Sequence, residues 1–421
     1  MRKLKLFFTS ILCLILGTAV GFVGNIFLTL PDSYVIPEKI ADTSHVDSYH
    51  TPTLIASTTE TIETGGHVIE SSDLSIHFLE LGNRNTGDCI YIKVKHGDTD
   101  TDILVDAGSK TTSIPYIEEY VDKYLTDNIL DFVIITHAHE DHYAGFSTNS
   151  KTESLFDHYR SNGKSIGTII KFAKSNKDNA AKIPAMHQNF LRELGEAIND
   201  GAKCMTALNC VNGETTEQGY LAQNIYTLGT DSNGEEIKMF ILYQKYYEEY
   251  SATENNYSVC FQIVQGSRKY LFTGDLEAEG EASLVDSTKN TGLLSQVELY
   301  KAGHHGSKTS SSEKLMSVIR PKNVVVCCCA GSSEYTSKNE NQFPTQAFIN
   351  NVTPYTDQIF VTTLCLDYNA NKFESFNGNI AVCSTANKNT VIICSNNTTV
   401  LQDTEWFKNN RTLPENAYRT A

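Results

Sequence analysis

Apolar positions are spread unevenly along the chain, and changes of period mark its parts. Leu6 to Leu30 is almost wholly apolar and uncharged, behind a basic start at Arg2, Lys3 and Lys5. A secretory h-region is shorter, and a spanning helix needs roughly 20 residues. The run therefore predicts a transmembrane anchor over residues 1–30. A cleaved signal peptide is the alternative, through the small residues Ala19-Val20-Gly21. The basic flank puts the amino terminus inside and the body outside. Residues 31–72 show no sustained period and are rich in Thr, Ser, Asp, Glu and Pro, which reads as a flexible stalk. His45, His50 and His67 are read there as solvated tail side chains.

Beyond the stalk the texture changes. Residues 75–81 alternate polar and apolar, predicting a strand with one buried face. Strands are also predicted at 89–94, 102–106, 129–136, 238–243, 258–264, 269–273, 297–302, 323–329, 359–364, 379–383 and 390–394. Helical spacing marks 114–125, 189–197 and 312–319. Many strands with interspersed helices predict a layered α/β arrangement of two sheets flanked by helices. The folded domain is expected over 73–400, and 401–421, with Trp406 and Phe407, reads as a tail.

Composition narrows the function classes. The 421 residues are 40% hydrophobic and 20% charged, which excludes a disordered or fibrous chain. A net charge of −16 argues against a broad nucleic-acid footprint and leaves room only for a local basic patch. The 11 cysteines form no C-x-x-C pair, so neither a zinc ribbon nor a disulfide scaffold is indicated. Cys204 and Cys210 could close one small loop in an oxidising exterior.

The chemistry concentrates at strand ends. Thr136-His137-Ala138-His139-Glu140-Asp141-His142 packs three imidazoles and a carboxylate behind an apolar strand, the donor set of a first-row divalent metal. In a turn, His137 and His139 can converge on one ion while Asp141 and His142 reach a second. Leu271-Phe272-Thr273-Gly274-Asp275 and Lys301-Ala302-Gly303-His304-His305-Gly306-Ser307 place a carboxylate and an imidazole pair at two further strand ends. Together they point to a two-metal centre.

In this order, Asp106-Ala107-Gly108, the H-x-H-x-D-H cluster, Gly274-Asp275 and His304 resemble the metallo-β-lactamase fold of binuclear hydrolases. Leu79-Glu80-Leu81-Gly82 leading to Gly87-Asp88, Gly274-Asp275-Leu276-Glu277, the run Lys301 to Ser311 and Arg320-Pro321-Lys322 are more narrowly similar to the soluble hydrolase domain of ComEC-type competence proteins. The resemblance implies an αββα four-layer sandwich holding two divalent ions, zinc or manganese. It implies His137 and His139 on the first metal, Asp141 and His142 on the second, and Asp275 bridging. One of His304 and His305 completes the second site, with His304 favoured; the other donates a proton or binds substrate. The chain departs from the pattern in lacking a further His on the first metal. Asn255-Asn256-Tyr257-Ser258 stands there instead, with Asn256 a weak ligand or a turn residue. Phe343-Pro344 replaces a His-Pro, and a single hydrophobic segment cannot build a DNA channel.

Two cations sharing a bridging water lower its pKa and hold a hydroxide for attack, oriented by Asp141 and Asp275. Ser307, Lys308, Thr309 and Ser310, just before a predicted helix start, are expected to hold a phosphate. The first expectation is an extracellular, membrane-anchored hydrolase of phosphodiester bonds in nucleic acid or phosphorylated cell-wall groups, or a secreted one. A carboxylic ester, lactone or thioester hydrolase of the same fold is the second. A non-catalytic surface-binding module is the third. The oligomeric state is left open.

Overall fold

The computed structural model describes residues 65–418 apart from 97–98, 150–151 and 179–180. The predicted anchor and most of the stalk lie outside the described residues. Among the described residues no helix is long and apolar enough to cross a membrane. The last part of the expected stalk belongs to the fold: Gly65–Ser71 is a helix whose Ile69 is buried against Ala381 and Cys383.

Two eight-stranded sheets make the frame. The first holds β1 (Leu74–Phe78), β2 (Ile90–His96), β3 (Thr99–Val105), β4 (Ile129–Ile135), β5 (Ser165–Lys171) and β6 (Lys203–Thr206). The second runs from β7 (Ile225–Thr230), β8 (Glu236–Leu242), β9 (Cys260–Gln265) and β10 (Arg268–Phe272) to β11 (Leu299–Lys301), β12 (Asn323–Ala330), β13 (Ile359–Asp367) and β14 (Lys372–Ser375). The chain then returns to the first sheet with β15 (Ile380–Ser384), which pairs antiparallel with β1, and β16 (Val391–Cys394) on the outside.

Burial explains the layers. Leu74, Ile76 and Phe78 of β1 share a core with Phe261, Ile263 and Phe272 of the second sheet, where the Phe261 and Phe272 rings stack at 4.5 Å. The polar half of the β1 alternation is buried too. His77 bonds Ser75 Oγ and the Tyr120 hydroxyl of helix Ile114–Tyr124, each at 2.9 Å, so that helix covers the other face. On the far side of the second sheet, Leu284, Leu315, Met316, Phe348 and Ile349 from helices Ala278–Asp286, Glu313–Ile319 and Gln346–Val352 form a separate cluster with Val324 and Val326. Helices therefore flank both sheets. The expected tail joins that cluster through Leu401 and Phe407, and Arg411 Nε donates to the Pro344 carbonyl at 2.7 Å. Residues 401–418 are thus part of the domain.

β3 and β4 are parallel, as are β10, β11 and β12, so their carboxyl ends lie at common edges. Reactive side chains leave from those edges. The turn after β3 is held to the histidine turn by a bond from Ala107 N to His142 O (2.7 Å), and the segment before β2 by one from Asp88 N to Asp141 O (2.9 Å). Gly108 lies so close to this contact that a Cβ would stand 1.6 Å from the Asp141 carbonyl oxygen. Gly108→Ala is expected to lower stability by about 3 kcal/mol, the upper range for forced overpacking, read as the urea unfolding midpoint.

Candidate metal centre

The cluster forms because four strand ends deliver their polar residues into one dry volume. His137, His142 and His305 are fully buried and Asp275 is 1% exposed. His142 Nε2 lies 3.1 Å from His305 Nε2 and 3.2 Å from Asp275 Oδ2. His305 Nε2 lies 3.4 Å from Asp275 Oδ2 and 3.5 Å from Asp141 Oδ2. A tetrahedral ion bound at about 2.0–2.2 Å has ligand–ligand edges of about 3.3–3.6 Å. His142, His305 and Asp275 are therefore spaced as ligands of one divalent ion; Asp88 belongs to the same group of donors, and Asp141 stands beside His305. Asp275 Oδ2 is also 3.9 Å from His137 Nε2, and His137 Nε2 is 3.0 Å from His139 Nδ1. That puts Asp275 between two donor groups, with the first poorer by one ligand. Its other oxygen is buried without a hydrogen bond, a further sign that the carboxylate is built for cations. The residues present fit two metal ions.

The far edges of the rings are held as firmly. His142 Nδ1 is 2.7 Å from Asp106 Oδ2, and Asp106 accepts from the Thr136 N–H (2.7 Å) and the Thr136 hydroxyl (2.6 Å). His305 Nδ1 is 2.8 Å from the Cys327 carbonyl and 3.2 Å from Asp88 Oδ1. Asp88 thus faces the Nδ1 edges, opposite the metal edges, and acts as the outer carboxylate of a carboxylate–histidine–metal arrangement. Its charge is balanced by Lys301, which is 1% exposed and in contact with Asp88 Oδ2. Asp275 N donates to Ser258 Oγ at 3.0 Å, which fixes the bridging carboxylate.

The electrostatics follow from this crowding. Burial alone would raise the Asp275 pKa, but His142 and His305 hold it well below the usual carboxylate range. Burial would lower His142, but Asp275 and Asp106 outweigh it and push it up to about 10. His305 is raised well above its ordinary value for the same reason, by Asp275 and Asp88 against burial.

Several expectations change. His305, not the favoured His304, faces His142 and Asp141. His304 lies toward the opening, 21% exposed at its side chain, with Nε2 3.8 Å from Asp275 Oδ2 and Nδ1 2.9 Å from Thr309 Oγ1. Both histidines have positive φ, 47° and 54°, so successive side chains diverge. Asn256 is engaged elsewhere, its amide donating to Ser251 Oγ and its oxygen accepting from the Glu277 N–H. Asn255 is the one beside His304, at 3.4 Å. The expected phosphate cradle is filled from within: the Ser311 and Ser312 N–H groups bond the Glu281 carboxylate at 2.7 and 2.8 Å, and Ser310 Oγ donates to the Leu276 carbonyl. Ser307 and Thr309 bond each other at 3.2 Å, and only Lys308 of the four is exposed. Cys204 and Cys210 are free thiols.

Residues 82–148 and 249–330 match the model of the Metallo-beta-lactamase superfamily. These two stretches, which carry the histidine cluster, Asp275 and the His304-His305 pair, are what the chain shares with that superfamily. Of curated proteins, ComE operon protein 3 of Bacillus subtilis (strain 168) is 34% identical over 74 residues, 18% of this chain and 9% of that protein. Competence protein ComA of Neisseria gonorrhoeae is 35% identical over 117 residues, 28% of this chain and 16% of its own. The matches thus span a small part of these relatives. Among solved structures, a long-form RNase Z from yeast aligns over 72% of this chain and 40% of its own, at 10% identity and a TM-score of 0.32. The superfamily match leaves out 149–248, the stretch that holds β5 to β8.

In the sequence Asp88 and Lys301 stand only as letters of the Gly87-Asp88 and Lys301–Ser311 motifs. A lysine in an otherwise apolar strand was the available signal for a buried partner. Asp88→Asn should cost about 3–5 kcal/mol, because Lys301 is left buried without its ion pair, and should weaken zinc binding about 10–100-fold. Adding Lys301→Met should restore stability in urea melts but not zinc affinity in a chelator competition.

A second expectation concerns pH. A histidine raised in the folded state stabilises below its unfolded pKa and loses that contribution as pH rises through the folded value. Metal-free protein should therefore lose stability between pH 6.5 and about 10 through His142. Zinc affinity should rise over the same window, since binding displaces that proton; paired thermal melts and zinc titrations read both.

Proposed function

We propose that this protein is a binuclear metal-dependent hydrolase that cleaves phosphodiester bonds. The observation that carries the reading is the set of spacings between 3.1 and 3.5 Å among His142, His305, Asp275 and Asp141, with His137 and His139 beside it. Two divalent ions bound there, zinc or manganese, would supply an activated hydroxide and a Lewis acid for the scissile group. His137 and His139 would hold the first ion, and Asp141, His142 and His305 the second, with Asp275 shared. Asp106 and Asp88 keep the Nδ1 edges of His142 and His305 engaged, so the Nε2 edges stay free for metal. Asp141 and Asp275 orient the nucleophile. His304, partly exposed and oriented by Thr309, has its pKa lowered by burial, which keeps it neutral, and is placed to bind substrate.

The phosphodiester assignment is supported by cations on the metal-binding turn rather than by the Ser307–Ser310 segment. Lys177 donates to the Ala138 carbonyl, and Lys110 pairs with Glu140 at 3.1 Å. A phosphodiester, whose single negative charge is shared by two non-bridging oxygens, suits such a surround. Nucleic acid and phosphorylated cell-wall polymers are the candidate substrates. Attachment to the outer face of a membrane belongs to this proposal through residues 1–30, which lie outside the described residues.

The full chain loaded with zinc or manganese is expected to hydrolyse bis(p-nitrophenyl) phosphate. Asp275→Asn should lower kcat by at least about 1,000-fold, of the order seen when a charge-stabilising group is lost. Turnover of p-nitrophenyl acetate or a lactone, with none of the phosphodiester, would replace the reading by an ester hydrolase. A folded, metal-loaded protein inert to both classes would leave a binding module.

A further inference from the structure

The loop after β12 brings an aromatic side chain to the opening of the metal centre. Tyr335 is 57% exposed as a residue, yet its hydroxyl lies 3.0 Å from Asp141 Oδ2. That is the carboxylate oxygen standing 3.5 Å from His305 Nε2. The Tyr335 ring rests on Phe343 with centroids 5.5 Å apart, and Phe343 in turn stacks on His305 at 6.2 Å. The loop is closed at its base by Gly331 N to Phe343 O (2.8 Å) and held across the opening by Thr86 N to Glu334 Oε2 (2.9 Å). The second anchor comes from residues 83–86. A hydroxyl is thereby carried to the open side of the cluster on a ring that solvent still reaches.

We propose that Tyr335 is a substrate-contacting residue, whose hydroxyl leaves Asp141 and donates to a non-bridging phosphoryl oxygen when a phosphodiester enters. The inference rests on the phosphodiester reading above for its substrate class. Its geometric ground is separate. When an ion takes the Asp141 oxygen, that oxygen has less lone-pair capacity for a second donor, and the phenol needs a new acceptor. The acceptor must sit on the open side, where the anionic oxygens of a bound phosphoryl group lie. A phenol has an ordinary pKa near 10, so at neutral pH it carries its proton and can donate. No covalent step passes through it: the P–O bond breaks without proton transfer from Tyr335. Phe343 sets the height of the ring over His305 and is a positioning residue.

The test uses Tyr335→Phe in the full chain, which keeps the ring and removes only the hydroxyl. Zinc content, measured by mass spectrometry, should equal that of the unaltered protein. The affinity of the zinc-loaded protein for inorganic phosphate, measured by calorimetry, should fall about 10-fold. With bis(p-nitrophenyl) phosphate, kcat/KM should fall by at least the same factor. Unchanged phosphate affinity and unchanged kcat/KM at full metal content would overturn the proposal. Lost zinc content would overturn it as well, showing a role in holding Asp141 alone. If the unaltered protein cleaves no phosphodiester but Tyr335→Phe still weakens phosphate binding, the contact stands and the phosphodiesterase reading falls.

Discussion

The structure depends on gathering acidic and imidazole side chains where water is excluded. Asp88, Asp106 and Asp275 are each about 1% exposed and stand within contact distance of His142 or His305. Unpaired buried carboxylates would be very costly. Each is instead matched: Asp106 by two bonds from Thr136, Asp88 by Lys301, and Asp275 by the imidazoles it faces. The carboxylates in turn raise the pKa values of His142 and His305, while burial lowers those of His137, His139 and His304. The positive φ angles at Asp106, His304 and His305 belong to this economy. Left-handed backbone at non-glycine residues costs on the order of 1–3 kcal/mol each, and persists where surrounding structure fixes it. Here the flanking strands of both sheets do so.

The framework was largely legible in the sequence because its strands are apolar runs bounded by turn residues. The runs at 129–136 and 323–329 correspond to β4 and β12 within a residue or two. The strands that escaped notice have mixed faces. β5, Ser-Ile-Gly-Thr-Ile-Ile-Lys, is interrupted by a glycine lying against the Asp131 backbone, and β14 is four largely polar residues at an edge. Residues 75–81 gave the right element with the wrong environment, since polarity there marked a buried hydrogen-bonded face beneath Tyr120 and not solvent.

The metal cluster itself could be read because its ligands come in dense local motifs. What surrounds it could not. Whether His304 or His305 turns inward depends on a pair of left-handed residues, and adjacent histidines look alike in one dimension. The helix-start N–H groups expected to help hold a phosphate are taken for a related reason. A serine run before a helix offers free N–H groups only if nothing else reaches them, and Glu281 comes from 30 residues upstream to take them. Burial alone would favour a protonated Glu281, and its pKa is accordingly raised to about 7 despite the bonds from Ser311 and Ser312. The site is closed by a residue whose partner no local pattern announces.

The segment between the two superfamily-matched stretches bears on the cluster from outside. Lys177 precedes helix Ala185–Asn199 and lies over the Tyr143 ring at 4.9 Å, while its ammonium contacts the Ala138 carbonyl. Ala138 sits between His137 and His139, so this contact fixes the backbone that spaces the first pair of ligands. Tyr143 in turn packs on Phe190 and His187 of the same helix at 5.1 and 5.9 Å. The two halves of the centre are therefore braced differently. His142 and His305 are held by carboxylates of the buried cluster, whereas the backbone between His137 and His139 is held by a lysine of the intervening segment. Because that lysine also brings positive charge beside the histidine turn, a change in the intervening segment would alter the His137–His139 spacing and anion attraction together. His142 and His305 would keep their supports.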